Sequence, residues 1–275
     1  MSVDGKVASH YSHGDLAQTI LTALAAAGKD LDELTPADLA PVDEFHIGGR
    51  EATVDFAGRF GARTGMHLLD VGCGIGGASR YFAGSHGCRV TGIDLTPEYC
   101  AVAATLAEKV GLADQVRYRQ ANALSMPFED ESFDGAYTFH VAMNIADKAG
   151  LYAEIARVLR PDAIFGIYDV CGGGAEDLHF PVPWADDASI SFLASPEDMA
   201  DLLDAAGFDI VETTDRSEFA KDFFDRMRQA RAESGPPPLG LHLLMGKAFP
   251  DKLRNMVQNL LEGKIQPTEF ICRRR

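Results

Sequence analysis

The run HLLDVGCGIGGASRYF, residues 67–82, decides how the rest of the chain reads. It begins as a short apolar segment of strand length, turns through a glycine cluster, and continues with helical spacing. Gly72, Gly74 and Gly77 match the spacing GxGxxG. Between a strand and a helix that spacing has a physical use. The glycines let the backbone turn sharply and approach a ligand, and the first turn of the helix offers free N–H groups. Asp94, about 20 residues beyond Gly74, ends the next apolar run, where a carboxylate can accept from ribose hydroxyls.

Outward from this turn, strand-like and helix-like segments alternate. MHLLDV (66–71), CRVTGID (88–94), QVRYRQ (115–120), FDGAYTF (133–139), AIFGIYDV (163–170), FDIVETT (208–214) and TEFICRRR (268–275) read as strands. Thr96-Pro97-Glu98 opens a helix that Gly111 closes, KAGLYAEIARVLR (148–160) is a helix with Pro161 just past its end, and Ser195-Pro196-Glu197-Asp198 caps another that Gly207 stops. SEFAKDFFDRMRQARAES is amphipathic and is broken by GPPP (235–238), and a further helix falls at roughly 250–262. Up to about Gly61 the pattern is helical: LAQTILTALAAA (16–27) stopped by Gly28, a Thr35-Pro36 cap, then a loop and helix in VDEFHIGGREATVDFAGRFG. The expected fold is α/β, a Rossmann-like doubly wound sheet of seven strands, mostly parallel with an antiparallel last strand. One domain spans 1–275: a helical cap (1–61), a core (62–170), and a lid with a late helical insertion (171–275). Within the last part, residues 171–194 mix Gly, Pro and aromatics, as binding loops do.

The 275 residues include 25 Lys and Arg against 41 Asp and Glu, a formal charge of −16. That charge repels nucleic-acid phosphates and anionic membranes, so neither is expected as a partner. With 46% apolar and 24% charged residues the chain can bury a core. Five cysteines without a CxxC pair, and an N-terminus without an apolar signal core, predict a reducing, cytoplasmic setting without structural zinc. The eight histidines include no HExxH pattern, so no metal is expected. Monomer and homodimer both stay open.

Two nucleotide cofactors fit the glycine turn. Asp70, two residues before Gly72, would repel the pyrophosphate of NAD and suits the ammonium of S-adenosylmethionine. The blocks LLDVGCGIGG, TGIDLT, QANALSMPFEDESFDGAY and EIARVLRPDAIFGIYD, in this order, resemble class I S-adenosylmethionine-dependent methyltransferases. The resemblance implies S-adenosylmethionine as cofactor. It places Asp70 at the methionine amino group, Gly72 and Gly74 against the cofactor, Asp94 at the ribose and Leu95 on the adenine. Asn122 stands where the family often has Asp, facing the adenine amine, with the N–H of Ala123 on the ring. The segment DEFHIGGREAT resembles the sarcosine/dimethylglycine and phosphoethanolamine branch, which sets His46 near the methionine carboxylate and Gly48 close to the sulfonium; Arg50 reads as a salt-bridge residue.

His10-Tyr11-Ser12 resembles the segment that carries a lid tyrosine in phosphoethanolamine methyltransferases. There the tyrosine closes on a histidine, whose position here is Asn144. His140, four residues earlier, is the candidate base, since an imidazole titrates near neutrality, with Tyr11 as a second catalytic candidate. Asn144, Tyr168, Trp184 and His242 are candidate substrate contacts. Asp186-Asp187 reads as solvated loop. The expected function is methyl transfer to a small molecule, first of all to an amine nitrogen. O- or C-methylation is the alternative, and an NAD oxidoreductase or a non-catalytic cofactor-binding protein would belong to another class.

Overall fold

The computed structural model describes residues 3–11, 14–174, 177–235 and 237–275. Ser12, and Pro236 of the GPPP break, lie outside the described residues. The strands are β1 (His67–Val71), β2 (Arg89–Asp94), β3 (Val116–Gln120), β4 (Phe133–Phe139), β5 (Leu159–Gly172), β6 (Phe208–Asp215) and β7 (Ile265–Arg274). They form one sheet in the order β3-β2-β1-β4-β5-β7-β6. The pairs from β3 to β5 are parallel, and β7 runs antiparallel between β5 and β6. The connection order reverses at β1 and β4, so the carboxyl ends of these two strands open the crevice where such sheets bind ligands.

The helices are α1 (Val3–Tyr11), α2 (Leu16–Ala26), α3 (Pro36–Asp43), α4 (Gly49–Phe60), α5 (Gly77–His86), α6 (Pro97–Lys109), α7 (Lys148–Val158), α8 (Pro196–Ala205), α9 (Ser217–Ser234), α10 (His242–Met245) and α11 (Phe249–Leu261). Their ends follow local chemistry. Thr35 with Asp38, and Ser195 with Asp198, form capping boxes at α3 and α8. Gly61 and Gly87 stop α4 and α5 in the left-handed conformation. One boundary differs from the sequence reading. Helix α7 ends at Val158, and β5 already includes Pro161. The segment before Pro161 pairs with its neighbours rather than completing the helix, since Leu159 lies opposite Phe133 of β4.

Both faces of the sheet are buried, and β1 divides them residue by residue. Leu68 joins Phe56, Phe60 and Phe82 of α4 and α5 on one face, while Leu69 joins Leu151, Ile155, Met199 and Leu203 of α7 and α8 on the other. A third cluster seats the N-terminal helices. Ile20, Leu24, Leu39 and Val42 are fully buried with Leu106 of α6, each side chain contributing about 1.5–3 kcal/mol of transfer free energy.

A polar clasp fixes the angle of this cap. Arg80 of α5 donates to Asp43 of α3 at 2.7 Å, and both side chains are fully buried. Arg80 also donates to the carbonyls of Ile75 (2.8 Å) and Ala103 (3.2 Å). The Asp43 carbonyl lies against Gly77, leaving no room for a Cβ there. The third glycine of the motif therefore serves the approach of α3 to α5. Among the described residues, no helix is long and apolar enough to cross a membrane.

Candidate active site

A cavity of about 300 Å³ opens over the carboxyl ends of β1, β2 and β4. Its floor is the glycine turn. The N–H groups of Gly72 and Cys73 both donate to the Ile93 carbonyl (2.8 and 2.9 Å), which ties the turn to β2. Gly72 has φ +73°, and a Cβ there would collide with Val141, so only glycine fits. Gly74 has φ +53° and open space where its side chain would be.

Two carboxylates stand on this floor. Asp70, near the end of β1, is 2% exposed and accepts from the Ser79 hydroxyl at 2.6 Å. Burial pushes it up to about 7. Asp94, at the end of β2, accepts from the N–H of Gly74 (3.0 Å) and of Thr96 (2.8 Å). Burial raises it too, against these hydrogen bonds. Leu95, Asn122 and Ala123 continue the wall. The Asn122 amide donates to Asp4 of α1 (3.0 Å), and its oxygen accepts from the Leu124 N–H (2.9 Å).

At the β4 end the wall is aromatic. His46 stacks on Phe139 with ring centroids 4.7 Å apart and meets His140 edge-on at 5.9 Å. The two ring nitrogens of His46 face Glu44 (3.0 Å) and the Ile47 carbonyl (3.3 Å). Burial would raise Glu44, but the hydrogen bond and charge of His46, with Arg50 at 2.9 Å and Thr53 at 2.7 Å, hold it below its ordinary value. Arg50 is the salt-bridge residue the sequence indicated. His140 has φ +55°, a strained conformation for a non-glycine residue, and its N–H donates to the Tyr168 carbonyl at 2.7 Å. Its Nε2 is buried without a protein partner.

The roof comes from α1 and the loop before α8. The Tyr11 hydroxyl donates to Asn144 Oδ1 at 3.0 Å. Asn144 in turn donates to the carbonyls of Trp184 (2.9 Å) and Ile190 (2.8 Å). The Trp184 indole N–H donates to Ser191 at 3.0 Å while the residue lines the cavity. Asp169 accepts from the Ala142 N–H (2.6 Å) and so pins the short turn Ala142–Asn144 that carries this contact. Asp186 and Asp187 are exposed, as read from the sequence, and Asp186 also pairs with His10 (3.2 Å) and Lys252 (3.1 Å).

Several sequence expectations change here. His140 does not titrate near neutrality: burial, then the nearby His46, pushes it well below its ordinary value, so the ring is neutral at pH 7. Tyr11 is no base, because burial and the charges of Asp94, Asp169 and Asp186 raise its phenol. Tyr168 is fully buried behind His140, ring centroids 4.9 Å apart, and is not on the cavity wall. His242 packs near Phe249 and also lies off the wall, where Leu244 takes its place. The close approach that Gly48 permits is to the Phe219 ring, not to the cavity.

The sequence reading also missed wall residues. Asp43, Glu44, Phe45, Tyr99, Val141 and Met143 line the cavity. The Tyr99 hydroxyl is buried without a partner. Its sequence signal is modest, an aromatic in the first turn after Asp94. The acidic wall residues are Asp4, Asp43, Glu44, Asp70, Asp94 and Asp147, and no Lys or Arg is among the described wall residues.

Residues 69–167 match the family described as "Methyltransferase domain". The O-methyltransferase resE of Aspergillus sclerotiorum is 33% identical over 183 residues, 65% of this chain and 68% of that protein. The sterol 24-C-methyltransferase ERG6B of Gibberella zeae is 40% identical over 113 residues, 41% of this chain and 30% of that protein. Among solved structures, geranyl diphosphate C-methyltransferase from Streptomyces coelicolor superposes with a TM-score of 0.72 over 100% of this chain and 98% of that one, at 16% identity. Haemonchus contortus phosphoethanolamine N-methyltransferase 2 gives 0.70 over 88% of this chain and 57% of that one, at 23% identity. At such identities these two likenesses concern the fold alone. The motif order, the switch-point cavity and the match to resE converge: this chain belongs to the class I S-adenosylmethionine-dependent methyltransferases.

Proposed function

We propose that the chain transfers a methyl group from S-adenosylmethionine to a hydroxyl oxygen of a small molecule. The observation that carries this reading is the unpartnered Nε2 of a neutral His140 in the same cavity wall as Asp70, Asp94 and the glycine turn.

The donor set fits the cofactor. Buried carboxylates at Asp70 and Asp94, both raised by desolvation, await a cation and hydroxyl donors. Asp70 would hold the amino group and Asp94 the ribose hydroxyls, with Gly74 leaving room between them. Leu95 would cover the adenine, with Asn122 and the N–H of Ala123 at its edge. His46 departs from its expected role: Glu44, Thr53 and the Ile47 carbonyl take both of its ring nitrogens, so none is left to donate to the methionine carboxylate. When bound, S-adenosylmethionine supplies a methyl group already activated on a sulfonium.

The chain's own residues then align and desolvate the acceptor. Alignment of two reactants is worth up to roughly 7–11 kcal/mol. His140, neutral and with a free ring nitrogen, would accept the hydroxyl hydrogen as the oxygen attacks, a role typically worth about 10²–10⁴ in rate and here at the lower end, because burial weakens the ring as a base. Relatives named O-methyltransferases support oxygen as the acceptor atom. An amine nitrogen is the second reading, favoured by the acidic wall, which gathers cations.

The test is release of S-adenosylhomocysteine against phenols, alcohols and amines of matched shape, with products read by mass spectrometry. O-methylated product, and a fall of at least about 100-fold with His140→Ala, support the reading. Methylation confined to nitrogen or carbon, or full activity of the variant, overturns it.

A further inference from the structure

We infer that the acceptor is uncharged and largely apolar, and that the cavity excludes acceptors bearing phosphate or diphosphate. This rests on the methyltransferase reading of the cavity and names the substrate class it takes. Three observations lead to it.

First, no Lys or Arg stands on the described wall, the imidazole of His46 is engaged by Glu44 and the Ile47 carbonyl, and Asp4 and Asp147 stand at the exposed mouth. An anion would enter past like charges and find no Lys or Arg on the described wall to receive it.

Second, the cations bordering the cavity are already engaged. Arg80 is spent on Asp43 at 2.7 Å, and Arg50 on Glu44 at 2.9 Å. Lys148 gives its ammonium to the carbonyls of Ala142 (2.8 Å), Ile145 (2.9 Å) and Phe192. Lys252 pairs with Asp186 at 3.1 Å. None of these side chains lies on the described wall. Taking Arg80 or Arg50 would strand a buried carboxylate, an unpaired buried charge being among the costliest groups a fold can hold, and taking Lys148 would strip three carbonyls of their donor.

Third, the space under the roof is bounded by Val7, Phe139, Met143, Trp184 and Leu244, which reward burial of carbon. The unpartnered polar atoms there, His140 Nε2 and the Tyr99 hydroxyl, suit a hydroxyl-bearing neutral molecule.

The experiment is binding by calorimetry to the full chain loaded with S-adenosylhomocysteine. The probes are two matched pairs: 2-naphthol with 2-naphthyl phosphate, and geraniol with geranyl diphosphate. The uncharged member of each pair should bind at least about 30-fold more tightly, and the gap should narrow as salt screens the carboxylates. Val7→Lys, a half-buried position on α1 outside the cofactor floor, should narrow it by about 10-fold while leaving S-adenosylhomocysteine affinity unchanged. Equal or tighter binding of either phosphorylated member, or a series in which neither uncharged member binds, overturns the inference. The outcome is separable from the hydroxyl reading. A bound uncharged acceptor methylated on carbon or nitrogen ends that reading and leaves this one standing. A phosphorylated acceptor methylated on oxygen does the reverse.

Discussion

The floor and the roof of the cavity are built on different scales of the chain. On the floor, Ser79 reaches Asp70 nine residues away and Gly74 reaches Asp94 across 20. In the roof, Tyr11 meets Asn144 across 133 residues and His10 meets Asp186 across 176, and Asp4 of the roof reaches down to Asn122 across 118. The floor is a strand–turn–helix unit whose geometry is local, so its chemistry can be stated from spacing alone. The roof exists only once α1, the turn after β4 and the loop before α8 have come together. Floor variants should therefore act on cofactor affinity, and roof variants on the acceptor.

The joint between the two regions should show the largest effect. Arg80→Met leaves the Asp43 carboxylate buried without its partner, which costs about 3–5 kcal/mol where such pairs have been broken. Urea unfolding should show this loss in the midpoint. A change below about 1 kcal/mol would mean that the clasp between α3 and α5 does not hold the cap.

On the floor, Asp94→Ala removes a charged acceptor, worth about 1.5–3 kcal/mol or roughly 10- to 150-fold in affinity. Titration with S-adenosylhomocysteine measures it. The variant also frees the N–H groups of Gly74 and Thr96, so part of the loss is a looser turn. If affinity is unchanged, the ribose does not lie at the end of β2.

Acid dependence separates the floor carboxylates from the surface ones. Asp70 sits at about 7 in the folded chain against an ordinary value of 3.8. Between those values the folded state keeps a proton that the unfolded chain has released, so stability falls as pH rises. From pH 5.5 to 8 this group alone costs about 2 kcal/mol. Asp169, raised to about 6 by burial, adds with the same sign. Asp38 and Glu262, lowered to about 2 by hydrogen bonds, act below this window. His140 and His67, whose pKa values burial lowers, act with the opposite sign in this window, since the unfolded imidazoles take up protons at pH 5.5 that the folded ones do not. The Asp70 contribution is therefore read as a difference: from pH 5.5 to 8 the ligand-free parent should lose more stability than Asp70→Asn. The gain from S-adenosylhomocysteine, whose amino group favours the ionised Asp70, should run the other way and grow through pH 7. An equal pH dependence in the parent and in Asp70→Asn would place Asp70 in a wetter setting than its 2% exposure indicates.

This contrast also explains which expectations the sequence supported. The seven strands, the caps at Thr35 and Ser195, and the floor positions Asp70, Gly72, Gly74, Asp94, Leu95, Asn122 and Ala123 depend on periodicity or on a motif within one unit. Tyr168 is suggested by its place at the end of a strand, and His242 by residue type alone in GLHLLMG. Alternation in β5 instead turns Tyr168 behind His140, and the four-residue helix α10 presents Leu244 in place of His242. Gly48 carries the right residue type for a close approach, but nothing local says that the approaching group is Phe219 of α9. His140 was found by position, whereas its depressed pKa depends on burial and on His46 from another element.

The smallest effect should come from the roof bond between Tyr11 and Asn144. Tyr11→Phe removes one neutral hydrogen bond, worth about 0.5–1.5 kcal/mol, and leaves the ring on Tyr99 and Phe45 in place. The expected result is a modest rise in KM for the acceptor with S-adenosylhomocysteine affinity unchanged. Because Asn144 carries no titratable group, this contact should not vary with pH between 5.5 and 8. Asn144→His supplies the sharper comparison. It restores the residue type of the tyrosine–histidine pairing but loses one of the two amide donations to the Trp184 and Ile190 carbonyls. Acceptor KM should then depend on pH in the variant and not in the parent. If the parent already shows that dependence, the roof is closed by a contact other than the Tyr11–Asn144 pair.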